Sequence, residues 1–260
     1  MSVSKEGRTD RFRVEADMLA PIAAASTLLA ETPLVLFEIP CAAGVPDIVL
    51  LELDETAMAE RSGTEVLSEP TDVRVLLAMA SAPSTQRWTA ESLASSVGVS
   101  ASHLKRTILP RLVDSKHLNV DGNCWGPAYR YRSLAHRVVT IEAKLRDWRR
   151  AVAQASRHTS VSDASWVALD SHAAVTAARY PEWFRTYGVG LLTVSVSGSV
   201  DRVLSPEVSR PRAADRELLV ERGVALHLRG EVSGPLQKVF GNRLVASTGA
   251  DPRLVGAGAS

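Results

Sequence analysis

Between Val138 and Gly198 three apolar runs alternate with two helical stretches, and this alternation constrains the fold more than any other feature of the chain. VVTIEAKL, SWVALD and GVGLLTVSVSG are short, rich in β-branched residues and flanked by polar or turn-forming positions, as strands are. The intervening DWRRAVAQASRH and the stretch 172–187 carry helical spacing. Strands that alternate with helices predict an α/β fold, a mixed sheet covered by helices. Two earlier apolar runs, Leu34–Ile39 and Asp47–Leu53, flank PCAAGVP, where Pro40, Gly44 and Pro46 mark a turn and so predict a hairpin. One amphipathic helix is expected from Glu15 to Thr32 and another from Ala213 to Leu228. The Gly-, Ser- and Ala-rich residues 232–260 read as a loosely held tail.

Residues 71–137 differ in kind. TDVRVLLAMASAP reads as a helix capped by Thr71 or Asp72, with Val73, Leu76, Leu77 and Ala80 on its buried face. After it come a short helix, a tight turn at Gly98–Ser100, a second helix over Ala101–Ser115 and a hairpin around Asp121-Gly122. That order predicts a helix-turn-helix followed by a wing. Leu93, Ala94 and Val97 would pack on Leu104, Ile108 and Leu112, leaving Ser100, Ser102, His103, Lys105 and Arg106 outside. Residues 54–70 hold five acids and one base with no strong period and read as a solvated linker.

Charge separates these parts. The whole chain carries +1, yet residues 71–137 hold nine bases against four acids, a balance of +5, so the remainder carries −4. A positive patch beside a helix-turn-helix suits a polyanion, because each neutralised phosphate releases counterions. A basic face that binds protein is the alternative. With 45% hydrophobic and 23% charged residues, 260 residues can bury a real core. No apolar run approaches the ~20 residues of a membrane span, and the polar start has no signal-like core, so a cytoplasmic location and no membrane partner are expected. Cys41 and Cys124 lie in no metal-ligand spacing. No P-loop and no GxGxxG after a strand is present, so no nucleotide cofactor is expected.

Chemistry concentrates in Pro46-Asp47 and Glu142-Ala143-Lys144. Residues two apart on a strand share a face, so Glu142 and Lys144 point together while Ala143 points back into the core. If Asp47 lies on the neighbouring strand, Asp47, Glu142 and the Ala143 carbonyl offer oxygen ligands to Mg²⁺ or Mn²⁺. Lys144 would then stabilise charge building on a phosphate.

Glu15 on a helix, GVPDIVL with Asp47, IEAKL with Glu142 and Lys144, and a following helix with Gln154 together resemble the PD-(D/E)XK, or restriction-endonuclease-like, nuclease superfamily. The resemblance covers about 15–53 and 138–197. It implies catalytic roles for Asp47, Glu142, Lys144 and Gln154, with Asp47, Glu142 and Ala143 at the metal. Many members carry Gln-xxx-Tyr on that helix; here His158 replaces the tyrosine. Members usually join the Asp and ExK elements by a short hairpin, whereas about 94 residues intervene here. Residues 1–53 and 138–231 would then form one discontinuous domain, with 54–70 as linker and 71–137 as an inserted winged helix. Insertion at a surface turn is tolerated because closure entropy grows slowly with loop length.

The resulting expectation is a Mg²⁺-dependent nuclease acting on double-stranded DNA. Ser102, His103, Lys105 and Arg106 would enter the major groove, and Arg130 and Arg132 would contact phosphates. The alternative is a non-cleaving DNA-binding regulator or assembly protein on the same scaffold. The oligomeric state stays open, a homodimer included. Glu15 reads as a solvated helix residue, Glu38 as either solvent-facing or a further carboxylate near the metal, and His158 and His172 as surface or helix-end residues.

Overall fold

The computed structural model describes residues 11–83 and 85–230, so the expected tail lies outside the described residues. Its main body is a six-stranded mixed sheet flanked by helices. The strands are β1 (Leu34–Phe37), β2 (Ile48–Leu53), β5 (Ala135–Lys144), β6 (Ala164–Asp170), β7 (Gly190–Val194) and β8 (Val200–Leu204), in the spatial order β1-β2-β5-β6-β7-β8. β5, β6 and β7 run parallel, and the remaining pairs are antiparallel. β3 (Leu118–Asp121) and β4 (Cys124–Pro127) form a separate hairpin.

Alternation along each strand builds two cores. Val35, Phe37, Ile48, Leu50, Val139, Ile141 and Ala143 face one side, where Met18, Leu19 and Ile22 cover them. Leu34, Leu36, Val49, Leu51 and Val138 face the other, under Leu219, Val220 and Val224 of α10 (Ala213–Leu228). Gly223 lets α10 approach closely, because a Cβ there would strike Leu51 and Leu36. Farther along this face, α7 (Trp148–His158), α8 (Ser171–Ala177) and α9 (Pro181–Tyr187) pack on Val167, Leu169 and Leu191.

Several expected elements change. The expected helix over 15–32 is a 3-10 turn Glu15–Met18, a short α1 (Leu19–Ala24) and a second 3-10 turn Ser26–Leu28. The stretch 172–187 divides into α8 and α9, because Pro181 disfavours helical geometry in Tyr180 and instead opens α9. β8, unforeseen, follows a turn at Ser195–Gly198. The 54–70 segment is no solvated linker: it holds α2 (Glu55–Glu60), capped by Asp54, and ends its helix on the buried Arg61. Nor does the third strand begin at Val138; it starts at Ala135, inside the segment expected to be inserted.

Residues 67–131 form their own core from α3 (Pro70–Ala80), α4 (Ala90–Val97), α5 (Ala101–His103), α6 (Leu109–Asp114) and the β3–β4 hairpin, with Leu218 of α10 joining it. Pro70 opens α3, and Asp72, expected as a cap, is buried and bonded to Arg111. Thr89 caps α4 in a reciprocal pair with Ser92, and Gly98 ends it at φ 71°. The expected helix over 101–115 contains a π turn at Leu104–Ile108. Pro110 accounts for it: proline has no N–H for the carbonyl four residues back, and its ring crowds that carbonyl. No described helix is long and apolar enough to cross a membrane.

Candidate active site

Asp47 directly precedes β2, and antiparallel pairing of Ile48 with Ile141 brings it level with the end of β5. There its Oδ2 accepts a 2.7 Å hydrogen bond from the Ala143 amide. Ala143 belongs to the core on one face of the sheet, so the alternation of β5 sends Glu142 and Lys144 to the other face. Glu142 is only 2% exposed. Its Oε1 lies 3.2 Å from Lys144 Nζ, while its Oε2 is enclosed without a hydrogen-bond partner. Lys144 Nζ also donates to the Ala143 carbonyl at 3.1 Å and to Glu15 Oε2 at 3.0 Å.

The electrostatics follow from this crowding. Burial, assisted by the charge of Asp47, pushes the Glu142 carboxyl up to about 7. Burial also raises Asp47, against the lowering effect of the Ala143 amide and Lys144. Lys144 is held above the ordinary lysine range: burial opposes its charge, but Glu15, Glu142 and Asp47 outweigh it. Glu38, at the end of β1 with φ 50°, is raised by burial and by Asp47. Three acids thus surround one ammonium, and a fourth lies close enough to feel Asp47. Glu15, read from sequence as a solvated helix residue, is exposed and also pairs with Lys144.

Gln154 sits two turns along α7, forms no hydrogen bond to these residues, and has its Oε1 enclosed without a partner. His158, expected at the surface, is instead 2% exposed, and burial lowers it to about 4. His172, in the first turn of α8, has its Nδ1 3.3 Å from Asp170 Oδ1. Beside the carboxylates opens a cleft of about 610 Å³, lined among others by Arg11, Arg13, Glu15, Arg146, Trp148 and His172. Among the described residues no group of three or more His, Cys, Asp or Glu is placed to hold a metal ion, so a cation here would rest on two carboxylates and backbone oxygen.

The expected DNA-contact residues lie on a different part of the molecule. Ser102 and His103 on α5 and Lys105 and Arg106 on the π turn are all exposed, while the neighbouring Leu104 and Ile108 are buried. Arg130 is exposed. Arg132 is already engaged by Glu60 in a two-pronged, half-exposed pair, and Arg111 by Asp72, so not every base in the positive segment is unpaired.

A buried network ties the 67–131 core to α10. Arg61 pairs with Glu221, which also accepts the Leu67 amide at 3.0 Å, and its guanidinium lies over the rings of Tyr129 and Tyr131. Tyr129 is bonded to His117 Nδ1 at 2.6 Å, and His117 Nε2 meets the Glu65 carbonyl at 2.8 Å. Comparison with protein-family models, with curated proteins and with solved structures finds no match.

Proposed function

We propose that the chain is a metal-dependent nuclease of restriction-endonuclease-like fold, hydrolysing phosphodiester bonds in DNA. The observation that carries this reading is the meeting of Asp47, Glu142 and Lys144 at one end of β2 and β5, although Asp47 is 96 residues from Ala143, whose amide it binds. The residues fit a hard divalent cation, because Glu142 Oε2 is a buried carboxylate oxygen with no hydrogen-bond partner. Asp47, Glu142 and the Ala143 carbonyl would hold Mg²⁺ or Mn²⁺, which supplies a more acidic water and neutralises phosphate charge. Lys144 sets a fixed positive charge beside the position of the attacked phosphate. Glu15 and Glu142 orient that ammonium.

In this reading helices α3 to α6 and the β3–β4 hairpin act as a winged helix-turn-helix that positions double-stranded DNA. The exposed Ser102, His103, Lys105 and Arg106 support a groove-facing helix, and Arg130 a phosphate contact. Arg132 reaches phosphate only by exchanging Glu60.

Incubating supercoiled and linear DNA with Mg²⁺ or Mn²⁺ tests the proposal. Lys144→Ala is expected to abolish cleavage with duplex affinity nearly unchanged; full-rate cutting by that variant refutes the assignment. One observation favours the non-cleaving alternative: Lys144 already bonds the Glu142 Oε1 and the Ala143 carbonyl, two of the oxygens a metal would need. That reading predicts no metal-dependent breakage of any DNA.

A further inference from the structure

The cleft beside Lys144 continues into an exposed aromatic ledge that the reaction does not use. Trp148, at the start of α7, lines the cleft together with Glu15, the partner of Lys144. Tyr180 stacks on Trp148 at 5.5 Å between ring centres, and Trp183 meets it edge-on at 5.7 Å. Tyr187, one helical turn beyond Trp183, stacks on that ring at 5.8 Å. Tyr180, Trp183 and Tyr187 are 39%, 36% and 41% exposed, although rings of this size gain most by burial.

Arginine laces the ledge. The Arg149 guanidinium lies 4.5 Å from the Trp148 ring centre and within 5.8 Å of those of Tyr180 and Trp183. Arg11, Arg13 and Arg146 line the adjoining cleft together with the acids Glu15, Asp147 and Asp170, yet among the described residues none of these three arginines, nor Arg149, forms an ion pair. Partly exposed rings beside guanidinium groups that form no ion pair match a strand whose bases stack and whose phosphates are negative. Bases inside a duplex are stacked already and offer such rings nothing.

We propose that this ledge stacks unpaired bases, so that the DNA presented to the active site carries a single-stranded stretch. The proposal rests on the nuclease reading and names its substrate class. A strand leaving the duplex would lie with its phosphates along the cleft arginines and its bases on Trp183 and Tyr187.

Anisotropy titrations of the full chain in chelator would use three labelled DNAs: a short oligothymidylate, a blunt duplex, and that duplex with an oligothymidylate tail. The wild type is expected to prefer the tailed over the blunt duplex by about tenfold or more, the effect of one or more stacked bases. Trp183→Leu/Tyr187→Leu, which keeps apolar bulk but removes the ring faces, is expected to erase that preference and leave blunt-duplex affinity unchanged. Trp183→Phe/Tyr187→Phe is expected to keep it. Equal binding of tailed and blunt duplex by the wild type, or a preference that survives the leucine pair, overturns the proposal while the nuclease reading stands. Sedimentation showing a dimer that the leucine pair dissociates gives the ledge to a second copy and also overturns it. Binding of none of the three DNAs refutes both readings together.

Discussion

Glu142→Gln is expected to stabilise the metal-free protein above neutral pH, an unusual result for a change at a proposed active site. The Glu142 carboxyl is 2% exposed, and burial followed by the Asp47 charge raises it from an ordinary 4.5 to about 7. For an acid shifted upward, the folded state holds its proton where the unfolded chain has released it. Stability therefore falls as pH rises from 4.5 towards 7, and the whole penalty persists above that window. At about 1.4 kcal/mol per pH unit the full penalty is about 3 kcal/mol. Between pH 5 and pH 8 roughly 2–3 kcal/mol of it develops. Glutamine removes the charge but can still accept from Lys144, whose ammonium retains Glu15. Urea unfolding of both proteins in chelator at pH 5 and pH 8 measures the effect. The variant's advantage should grow by that amount between the two pH values. A variant less stable than the wild type at pH 8, or an advantage independent of pH, refutes the claim that Glu142 is a buried, undercompensated carboxylate.

Arg61→Ala would strand Glu221, which is 1% exposed, and is expected to cost about 3–5 kcal/mol in urea unfolding, far more than the Arg61→Met/Glu221→Leu pair. His117 is fully buried, and burial followed by the charge of Arg61 lowers it to about 4. Its contribution is present above pH 6.5 and lost as pH falls towards 4, so His117→Gln should flatten that acid limb by about 2–3 kcal/mol. Lys105→Ala/Arg106→Ala is expected to weaken duplex binding and lower the slope of log affinity against log salt by about 2, read from titrations at several salt concentrations. An unchanged slope would remove those side chains from the DNA face.

Local pattern was legible wherever one chain segment sufficed. Period-two alternation placed Glu142 and Lys144 on one face of β5 and Ala143 on the other, and the proline- and glycine-marked turn yielded the β1–β2 hairpin. Breaks in helices were harder to see. Pro21, Pro110 and Pro181 are visible in the sequence, yet one lies inside a helix, one follows a π turn and one opens a helix, so the residue type alone does not say which.

Contacts distant along the chain had no such local signal. The acids of 54–70 look like those of a solvated segment, yet the arginine among them is buried because α10, 160 residues later, presents Glu221 to it. Arg132 counts as a free base until α2 supplies Glu60. Composition, alternation and turn chemistry report which way a side chain points and whether its surroundings are apolar. Strand order and register establish what it meets: Asp47 at the Ala143 amide, Glu15 at Lys144, and a buried Glu142 carboxyl with one oxygen unpartnered. Those encounters, not the residue types, set the proton affinities and charge balance of the site, because desolvation and Coulomb energy depend on distance in space and not on separation along the chain.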